Sequence, residues 1–322
     1  MSTDARPRGA TGAGTQMRSY YGRPVIKEPV WQREIPWYFF TGGLGGASSV
    51  LSLVARVSGN ELLAQRSIQI ASAADAVSPL LLISDLGRPE RFLNMLRVFK
   101  VTSPMSVGSW ILAYTSAASS VSAFLNTIGR LRRTADLART AAAASGAPLA
   151  VYTATLISDT AIPVWHEARH ELPFLFGSSA VASAGAASAI VVPPRDAGPA
   201  RRMAVGGAIV ENVVMKAMEK RLGMLGEPYR QSEAGKYGKL AKACSLGGAA
   251  VIGLGGRRSR LAAVAGGTLL LAGEAALRWS VFKAGFQSAR DPKYTVIPQR
   301  ERAGHGPSSR TLPSPRRSGN HG

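Results

Sequence analysis

The long uncharged stretches of this chain constrain its fold more than any other feature. Four runs contain no Asp, Glu, Lys or Arg and extend for 17 to 24 residues: 35–55, 105–128, 140–156 and 172–192. A helix of about 17 to 25 mostly apolar residues crosses the hydrocarbon core of a bilayer. The pattern therefore predicts a polypeptide that passes repeatedly through a membrane.

The chain is also strongly basic, with 39 Lys and Arg against 19 Asp and Glu and a formal net charge of +20. Such a charge is compatible with a nucleic-acid partner. The membrane-length runs favour a membrane protein instead, and we expect no nucleic acid to bind.

Both terminal segments, residues 1–34 and 287–322, are polar. The first 34 residues contain no apolar core of a signal peptide. We expect these basic tails to be largely disordered and to contact anionic lipid or a partner.

Four further segments are less apolar and need neighbouring helices to shield their polar groups. Together with the uncharged runs they predict an all-α integral membrane protein of about eight transmembrane helices. The predicted spans are 35–56, 64–84, 105–128, 138–158, 172–192, 202–218, 239–256 and 261–279. We expect two four-helix bundles, formed by residues 35–158 and 159–286.

An even number of spans places both termini on one side of the membrane. The tails and connections on that side hold 27 Lys and Arg, against 12 on the other side. Because cytoplasmic segments carry the excess of Lys and Arg, we expect a multi-pass protein of the cell membrane with both termini in the cytoplasm.

Residues that could bind a redox metal are scarce. Cys244 is the single cysteine, which excludes an intrachain disulfide and an iron–sulfur cluster held by this chain's own thiolates. Of the four histidines, His305 and His321 lie in the tail and His166 and His170 lie in one short connection. We therefore expect no haem, metal or iron–sulfur cluster in this chain.

The stretch "LLLISDLGRPERFLNMLRVFK", residues 80–100, joins an apolar run to a group of opposite charges. Gly87 is typical of a helix end and Pro89 of the first turn of the next helix. The following residues have the pattern of an amphipathic helix at the membrane surface. Asp85 and Arg88 then form either an ordinary pair at the headgroups or the mouth of a quinone or proton path.

Several motifs resemble one known family. The segments "YYGRP", "IPWYFFTGGLGG", "LGRPERFLNMLRVFKVTSPMSVGSW", "VYTATLISDTAIPVWHEARHELPFLF" and "RDPKYTVIPQRER" are similar to the NrfD-like polysulfide reductase membrane subunits. The resemblance covers residues 18–302 and looks closest to actinobacterial-type members found with molybdenum formate dehydrogenases. It implies a quinone-reactive membrane anchor, with menaquinone as the expected quinone. It also implies an iron–sulfur ferredoxin-like subunit and a molybdopterin catalytic subunit as partners.

The resemblance also implies a quinone pocket among the first four spans, near the N-terminus and residues 87–104. Asp85 and Tyr152 fall on catalytic positions, and Trp37 falls where better-known members have a histidine. An indole N–H can donate a hydrogen bond but cannot accept a proton, so Trp37 can serve there only as a donor. Together with Trp37 and Tyr152, we predict Tyr38, Arg88, Asp159 and Trp165 as quinone-binding positions. Tyr152 also fits an aromatic residue of the membrane interface.

Asp75, Glu211 and Glu274 are single acids in the middle of predicted spans. A buried carboxylate without a partner is unfavourable, so each must be protonated, paired or hydrated. They indicate either a proton path or polar contacts between helices. A secondary transporter or proton channel built on these acids is the alternative function, and an anchor that binds no quinone is a third.

Two local patterns invite other interpretations. Gly42, Gly43, Gly45 and Gly46 lie inside an apolar span, where glycines favour close helix packing or the approach of a quinone ring. His166 to His170 spell H-E-x-x-H, the pattern of zinc proteases. That motif needs a longer helix than the segment between Pro163 and Pro173 allows, and we do not predict zinc.

Overall fold

The computed structural model describes residues 25–88 and 90–304, apart from the side chains of residues 91, 93 and 300–304. Within these residues every regular element is a helix. The α-helices are α1 Glu34–Val57, α2 Glu61–Asp85, α3 Glu90–Arg97, α4 Pro104–Ile128, α5 Arg132–Ser158, α6 Pro163–Glu167, α7 Leu172–Val191, α8 Gly198–Leu222, α9 Glu227–Arg230, α10 Ser232–Gly255, α11 Arg260–Arg290 and α12 Lys293–Gly304. A 3₁₀ turn, Gly223–Gly226, joins α8 to α9.

Long helices lie at all eight predicted spans. Five of them, α1, α2, α5, α7 and α11, are long and apolar enough to cross a membrane. This confirms the predicted all-α multi-pass architecture. The helices α4, α8 and α10 are of similar length but less apolar, and that they also cross the membrane remains a prediction.

Local signals place several helix ends correctly. Gly87 has a φ of +65°, the left-handed conformation predicted where α2 ends. Ser103 accepts a hydrogen bond from the backbone N–H of Ser106 at 3.4 Å, and Pro104 occupies the first turn of α4. The amphipathic segment after Gly87 forms the short helix α3, as predicted.

Several helices are longer than predicted: α8 extends beyond 202–218 at both ends, and α10 begins at Ser232 rather than at residue 239. Helix α5 begins at Arg132, ahead of the predicted start at residue 138, because its first turns are anchored by the ion pair of Asp136 with Arg56 on α1. The C-terminal tail was predicted to be disordered from residue 287. Instead α11 continues to Arg290 and α12 follows, with Tyr294 only 2% exposed. The predicted disorder of residues 1–24 and 305–322 concerns residues outside those the structure describes.

The eight long helices alternate in direction. Helices α1, α2, α4 and α5 pack together, and α7, α8, α10 and α11 pack together, while α1 also contacts α7 and α11. One end of the molecule, which we call the Asp85 end, carries residues 25–33, 86–103, 159–171 and 223–231. The opposite end, which we call the Asp136 end, carries the short connections 58–60, 129–131, 192–197 and 256–259.

The glycines of α1 allow close packing on three sides. A Cβ atom at Gly46 would lie 2.3 Å from the carbonyl oxygen of Gly146 on α5. A Cβ at Gly45 would lie 2.0 Å from the Asp75 carboxyl group on α2, and one at Gly43 would lie 3.3 Å from the guanidinium of Arg278 on α11. Protein atoms therefore occupy these positions, which supports helix packing rather than ring binding as their role.

Candidate functional site

A cavity of about 260 Å³ lies at the Asp85 end of the first bundle. It is bounded by α1, α2, α4, α5 and the segment before α1. Its walls are mostly apolar, with a few polar groups, which is the usual composition of a small-molecule site. The lining residues are Val30, Trp31, Ile35, Tyr38, Phe39, Leu82, Asp85, Leu86, Met95, Met105, Ser109, Tyr152 and Leu156.

Asp85 is the last residue of α2 and faces this cavity. One carboxylate oxygen, Oδ1, accepts a hydrogen bond of 2.8 Å from the backbone N–H of Gln32. Asp85 therefore holds the segment before α1 against the end of α2. Its second oxygen, Oδ2, has no bond to a described residue and can interact with a ligand.

Tyr152 reaches the cavity from α5, and its ring lies directly on Gly108 of α4. A Cβ atom at Gly108 would be 1.7 Å from Cζ of the Tyr152 ring, so only glycine fits there. The Tyr152 hydroxyl donates a hydrogen bond of 2.8 Å to the carbonyl oxygen of Pro104. In this arrangement the hydroxyl oxygen can accept a hydrogen bond, and the hydroxyl must leave Pro104 before it can donate to a ligand.

Tyr38 supplies the second hydroxyl of the cavity. The side chain is buried, with 2% of its surface exposed, yet it lines the cavity wall. Its hydroxyl makes no hydrogen bond to the described residues. Tyr38 is therefore the donor that is already available to a ligand.

Trp31 forms one wall of the cavity and was not predicted from the sequence. Its ring stacks on that of Trp165, with centroids 5.7 Å apart. Trp31 also borders a larger groove of about 670 Å³ that contains Trp279, Phe282 and Phe286. The one available signal was an aromatic residue shortly before the first span, within a segment interpreted as a polar tail.

Four of the predicted site residues do not line the cavity, namely Trp37, Asp159, Trp165 and Arg88. Trp37 is 44% exposed and packs edge to face on Trp279, with centroids 6.4 Å apart. Asp159 is exposed. Trp165 is fully buried, and its indole N–H donates to the carbonyl oxygen of Val281 at 2.8 Å, so it supports Trp31 from behind.

Arg88 is exposed beyond the end of α2 and does not line the cavity either. Of the predicted site residues, the structure brings together Tyr38, Asp85 and Tyr152. The helical repeat explains the difference between Trp37 and Tyr38, because adjacent residues point about 100° apart around a helix.

Asp75 lies deeper in the first bundle, away from the cavity. Its Oδ2 accepts a hydrogen bond of 2.7 Å from the hydroxyl of Ser119 on α4. The other oxygen, Oδ1, is buried against Gly45 and has no hydrogen-bond partner among the described residues.

Glu211, Glu274 and Arg278 form a buried cluster in the second bundle, which we call the Glu274 cluster. Each side chain is at most 2% exposed. The two carboxyl groups lie close enough to interact, and such an interaction is repulsive unless one of them holds a proton. Ser179 of α7 and Ser245 of α10 donate to Glu274 at 2.6 and 3.2 Å. All four helices of the second bundle therefore meet at this cluster.

Arg278 carries the positive charge of the cluster. Its guanidinium lies over the Phe176 ring, 3.8 Å from the centroid, and donates to the carbonyl oxygen of Phe176 at 3.0 Å. Two of its nitrogens, Nε and Nη1, and Oε2 of Glu211 have no hydrogen-bond partner among the described residues. The cluster is therefore incompletely satisfied.

A cavity of about 630 Å³ leads from the surface of the second bundle to Glu211. Lys216, Lys239 and Lys242 lie along its outer part, and Tyr229 lines it from α9. Burial raises the pKa of the Tyr229 hydroxyl, which has no hydrogen-bond partner among the described residues. The cavity therefore connects the lysine-rich outer part of its lining with Glu211 of the Glu274 cluster.

The H-E-x-x-H pattern does not form one helical face, because α6 ends at Glu167 and His170 lies in the following turns. Glu167 and Glu171 instead contact Arg221 at the end of α8. In the described part of the chain, no group of three or more His, Cys, Asp or Glu residues is placed to hold a metal ion.

The chain matches a known protein family. A family model described as polysulphide reductase, NrfD, matches residues 25–202. The matched region includes every residue that lines the cavity at the Asp85 end. No curated protein matches the chain.

Proposed function

Because the chain belongs to the polysulphide reductase NrfD family, we propose that it is the quinone-reactive anchor of a formate dehydrogenase-like complex. Members of this family are membrane subunits of molybdoenzyme complexes linked to quinone, and they partner with iron–sulfur and molybdopterin subunits. In our proposal the chain exchanges electrons between a docked iron–sulfur subunit and menaquinone. Both termini face the cytoplasm, as the distribution of Lys and Arg favours.

The observation that carries the proposal is the convergence of Tyr38, Asp85 and Tyr152 on one apolar cavity. Its volume of about 260 Å³ is near the lower limit of small-molecule pockets, which favours a single ring system over a bulky ligand. The cavity is formed at the end of the transmembrane helices, where a lipid-soluble ring can enter from the bilayer. The residues present therefore fit a quinone head group.

A quinone bound in this cavity supplies an acceptor for two electrons and two protons. The Tyr38 hydroxyl is free to donate a hydrogen bond to a ligand oxygen, which stabilises negative charge on that oxygen. Asp85 can hold or release a proton at Oδ2 while Oδ1 stays bound to Gln32. Phe39, Leu82 and Met105 contribute apolar wall and limit the access of water.

The direct test separates the quinone reaction from the rest of the complex. In the purified complex, we expect Asp85→Asn and Tyr38→Phe each to reduce formate-to-quinone turnover about tenfold or more. Activity with a soluble dye, measured on the same samples, should be unchanged. Asp159→Asn is the matched control, because Asp159 is an exposed acid at the same end and does not line the cavity.

Full quinone activity in both variants would show that Asp85 and Tyr38 do not take part in quinone reduction. If iron and molybdenum do not co-purify with a tagged form of this chain, the proposed partner subunits are wrong. An anchor that binds no quinone predicts full quinone activity in both variants together with co-purified iron and molybdenum. The two measurements therefore distinguish such an anchor from a chain without these partners.

A second candidate function is proton transfer through the bundles, and the incompletely satisfied Glu274 cluster favours it. Glu211 is reached by the cavity of about 630 Å³ and has an unpartnered oxygen. Glu211 and Glu274 would relay protons in the second bundle, and Asp75 would do so in the first. In proteoliposomes, Glu211→Gln should abolish proton uptake linked to turnover. Proton uptake that persists without a redox substrate would instead favour a transporter.

A further inference from the structure

A second cavity, of about 500 Å³, lies at the Asp136 end between α1, α2, α4 and α5. It is far from the proposed quinone site, since the two are at opposite ends of the same helices. Its lining contains four arginines and two acids, which leaves two positive charges in excess. The charged residues of the lining are Arg56, Glu61, Arg130, Arg132, Asp136 and Arg139.

Two arginines share one carboxylate at the base of this cavity, and one of them, Arg56, also forms an ion pair with Glu61. Arg56 donates to both oxygens of Asp136, at 3.1 and 2.9 Å. Arg139 donates to Oδ1 of Asp136 at 2.8 Å. Arg139 is 1% exposed, and its Nε has no hydrogen-bond partner among the described residues. A buried guanidinium that shares its counter-ion and keeps an unbonded N–H attracts a further anion.

The mouth of the cavity carries two more arginines. Arg130 and Arg132 are exposed and line the cavity, and neither forms an ion pair with a described residue. They flank Leu131, which has a φ of +50° and a side chain 67% exposed. The left-handed conformation is uncommon for a residue other than glycine. In the connection between α4 and α5, the guanidinium groups of Arg130 and Arg132 therefore line the cavity, whereas the side chain of Leu131 is exposed on the surface.

We propose that this cavity binds the phosphate group of an anionic phospholipid. A guanidinium group can bind two phosphate oxygens at once through its parallel N–H groups, and the excess positive charge of the lining favours an anionic headgroup. Leu62 and Leu125 add apolar wall, and Leu131 and Ile128 are exposed next to the cavity, where acyl chains would pass. The cavity lies at the end of candidate membrane-spanning helices and has exposed apolar side chains beside it, which favours a lipid over a free phosphate ion.

The test uses the full chain in nanodiscs of neutral phosphatidylcholine with increasing phosphatidylglycerol, with bound lipid counted by native mass spectrometry. We expect wild type to retain phosphatidylglycerol in preference to phosphatidylcholine. The double substitution Arg130→Gln with Arg132→Gln should weaken that retention about tenfold. These residues are exposed, so the variant should fold.

Arg66→Gln with Arg133→Gln is the matched control, because both arginines are exposed near the same end and do not line the cavity. It removes the same charge and should retain lipid as wild type does. Equal retention by the two double variants, or an equal loss in both, would overturn the proposal. Binding of inorganic phosphate with no preference for phosphatidylglycerol would also overturn it and indicate a site for the free ion.

Discussion

The Oδ1 atom of Asp85 lies 2.8 Å from the backbone nitrogen of Gln32, so the last residue of α2 holds the segment that precedes α1. The neighbouring Trp31 closes one side of the proposed quinone cavity and stacks on Trp165. This contact gives Asp85 a structural role in addition to the chemical role proposed for it. The two roles can be separated by substitution.

The structural role predicts different results for Asp85→Ala and Asp85→Asn. Alanine removes the acceptor, whereas the amide oxygen of asparagine can still accept from Gln32. We expect faster amide hydrogen exchange in residues 30–33 of the alanine variant and unchanged exchange in the asparagine variant. Equal exchange in the two variants would show that the Gln32 contact does not hold the segment.

The packing of Tyr152 on Gly108 predicts a strong effect of Gly108→Ala. The added Cβ would overlap the Tyr152 ring and displace its hydroxyl from Pro104. We expect a loss of about 1–3 kcal/mol in unfolding free energy, seen as a lower thermal midpoint in detergent, together with slower quinone reduction.

Gly206→Ala on α8 is the control for this substitution. Gly206 also lies inside a long helix, but no atom lies within 4 Å of the position where its Cβ would be. It should leave the thermal midpoint unchanged or raise it slightly, because alanine favours helix. A Gly108→Ala protein as stable as the Gly206→Ala protein would contradict the described packing.

The Glu274 cluster predicts unequal effects of two similar substitutions. Glu274 accepts hydrogen bonds from Ser179 and Ser245 and lies one helical turn from Arg278. Glu274→Gln removes the carboxylate that accepts both hydrogen bonds, so we expect it to lower the unfolding free energy by about 1–3 kcal/mol. Glu211→Gln should cost less, because Oε2 of Glu211 has no partner to lose. Thermal unfolding of both variants in one detergent checks the order, and the reverse order would contradict it.

The packing of α12 should weaken in acid. Lys293 donates to Glu227 at 2.8 Å, and this hydrogen bond lowers the pKa of Glu227 and raises that of Lys293. A lowered folded pKa means that Glu227 stabilises the fold above its unfolded pKa of about 4.3. This stabilisation is lost as the pH falls through the folded value.

Limited proteolysis of α12 across this pH range measures the effect. Cleavage should increase in acid for the wild type, and Glu227→Gln should be cleaved at a rate that depends less on pH. The raised pKa of Lys293 predicts a second loosening only in strong alkali. Identical pH profiles for the two proteins would show that the pair does not hold α12.

The sequence predicted the helix positions and several helix ends because their causes are local. The start of α4 at Ser103 and Pro104 and the end of α2 near Gly87 depend on neighbouring residues alone. The same holds for the uncharged runs. The site residues were predicted less accurately, because tertiary packing decides which side of each helix faces the cavity. Trp37 and Tyr38 are adjacent, and contact with Trp279 of α11 takes Trp37 away from the cavity. No local pattern predicts a partner more than 200 residues distant.

Charge pairs between distant segments account for two further differences from the predicted helices. The early start of α5 depends on Asp136 meeting Arg56 of α1, and the order of α12 depends on Lys293 meeting Glu227. Both pairs join segments that are distant in sequence. The acids Glu211 and Glu274 were recognised singly, but their interaction across α8 and α11 required the fold.

Photolabelling of the purified complex with an azido-menaquinone analogue tests most directly whether the cavity at the Asp85 end binds quinone. We expect label on peptides of α1, α2, α4 and α5 that contain cavity residues such as Tyr38, Met105 and Tyr152, with excess menaquinone preventing it. Asp85→Asn and Tyr38→Phe should reduce the labelling, and Asp159→Asn should not. Label confined to other helices, or labelling of the cavity that excess menaquinone does not prevent, would contradict the account.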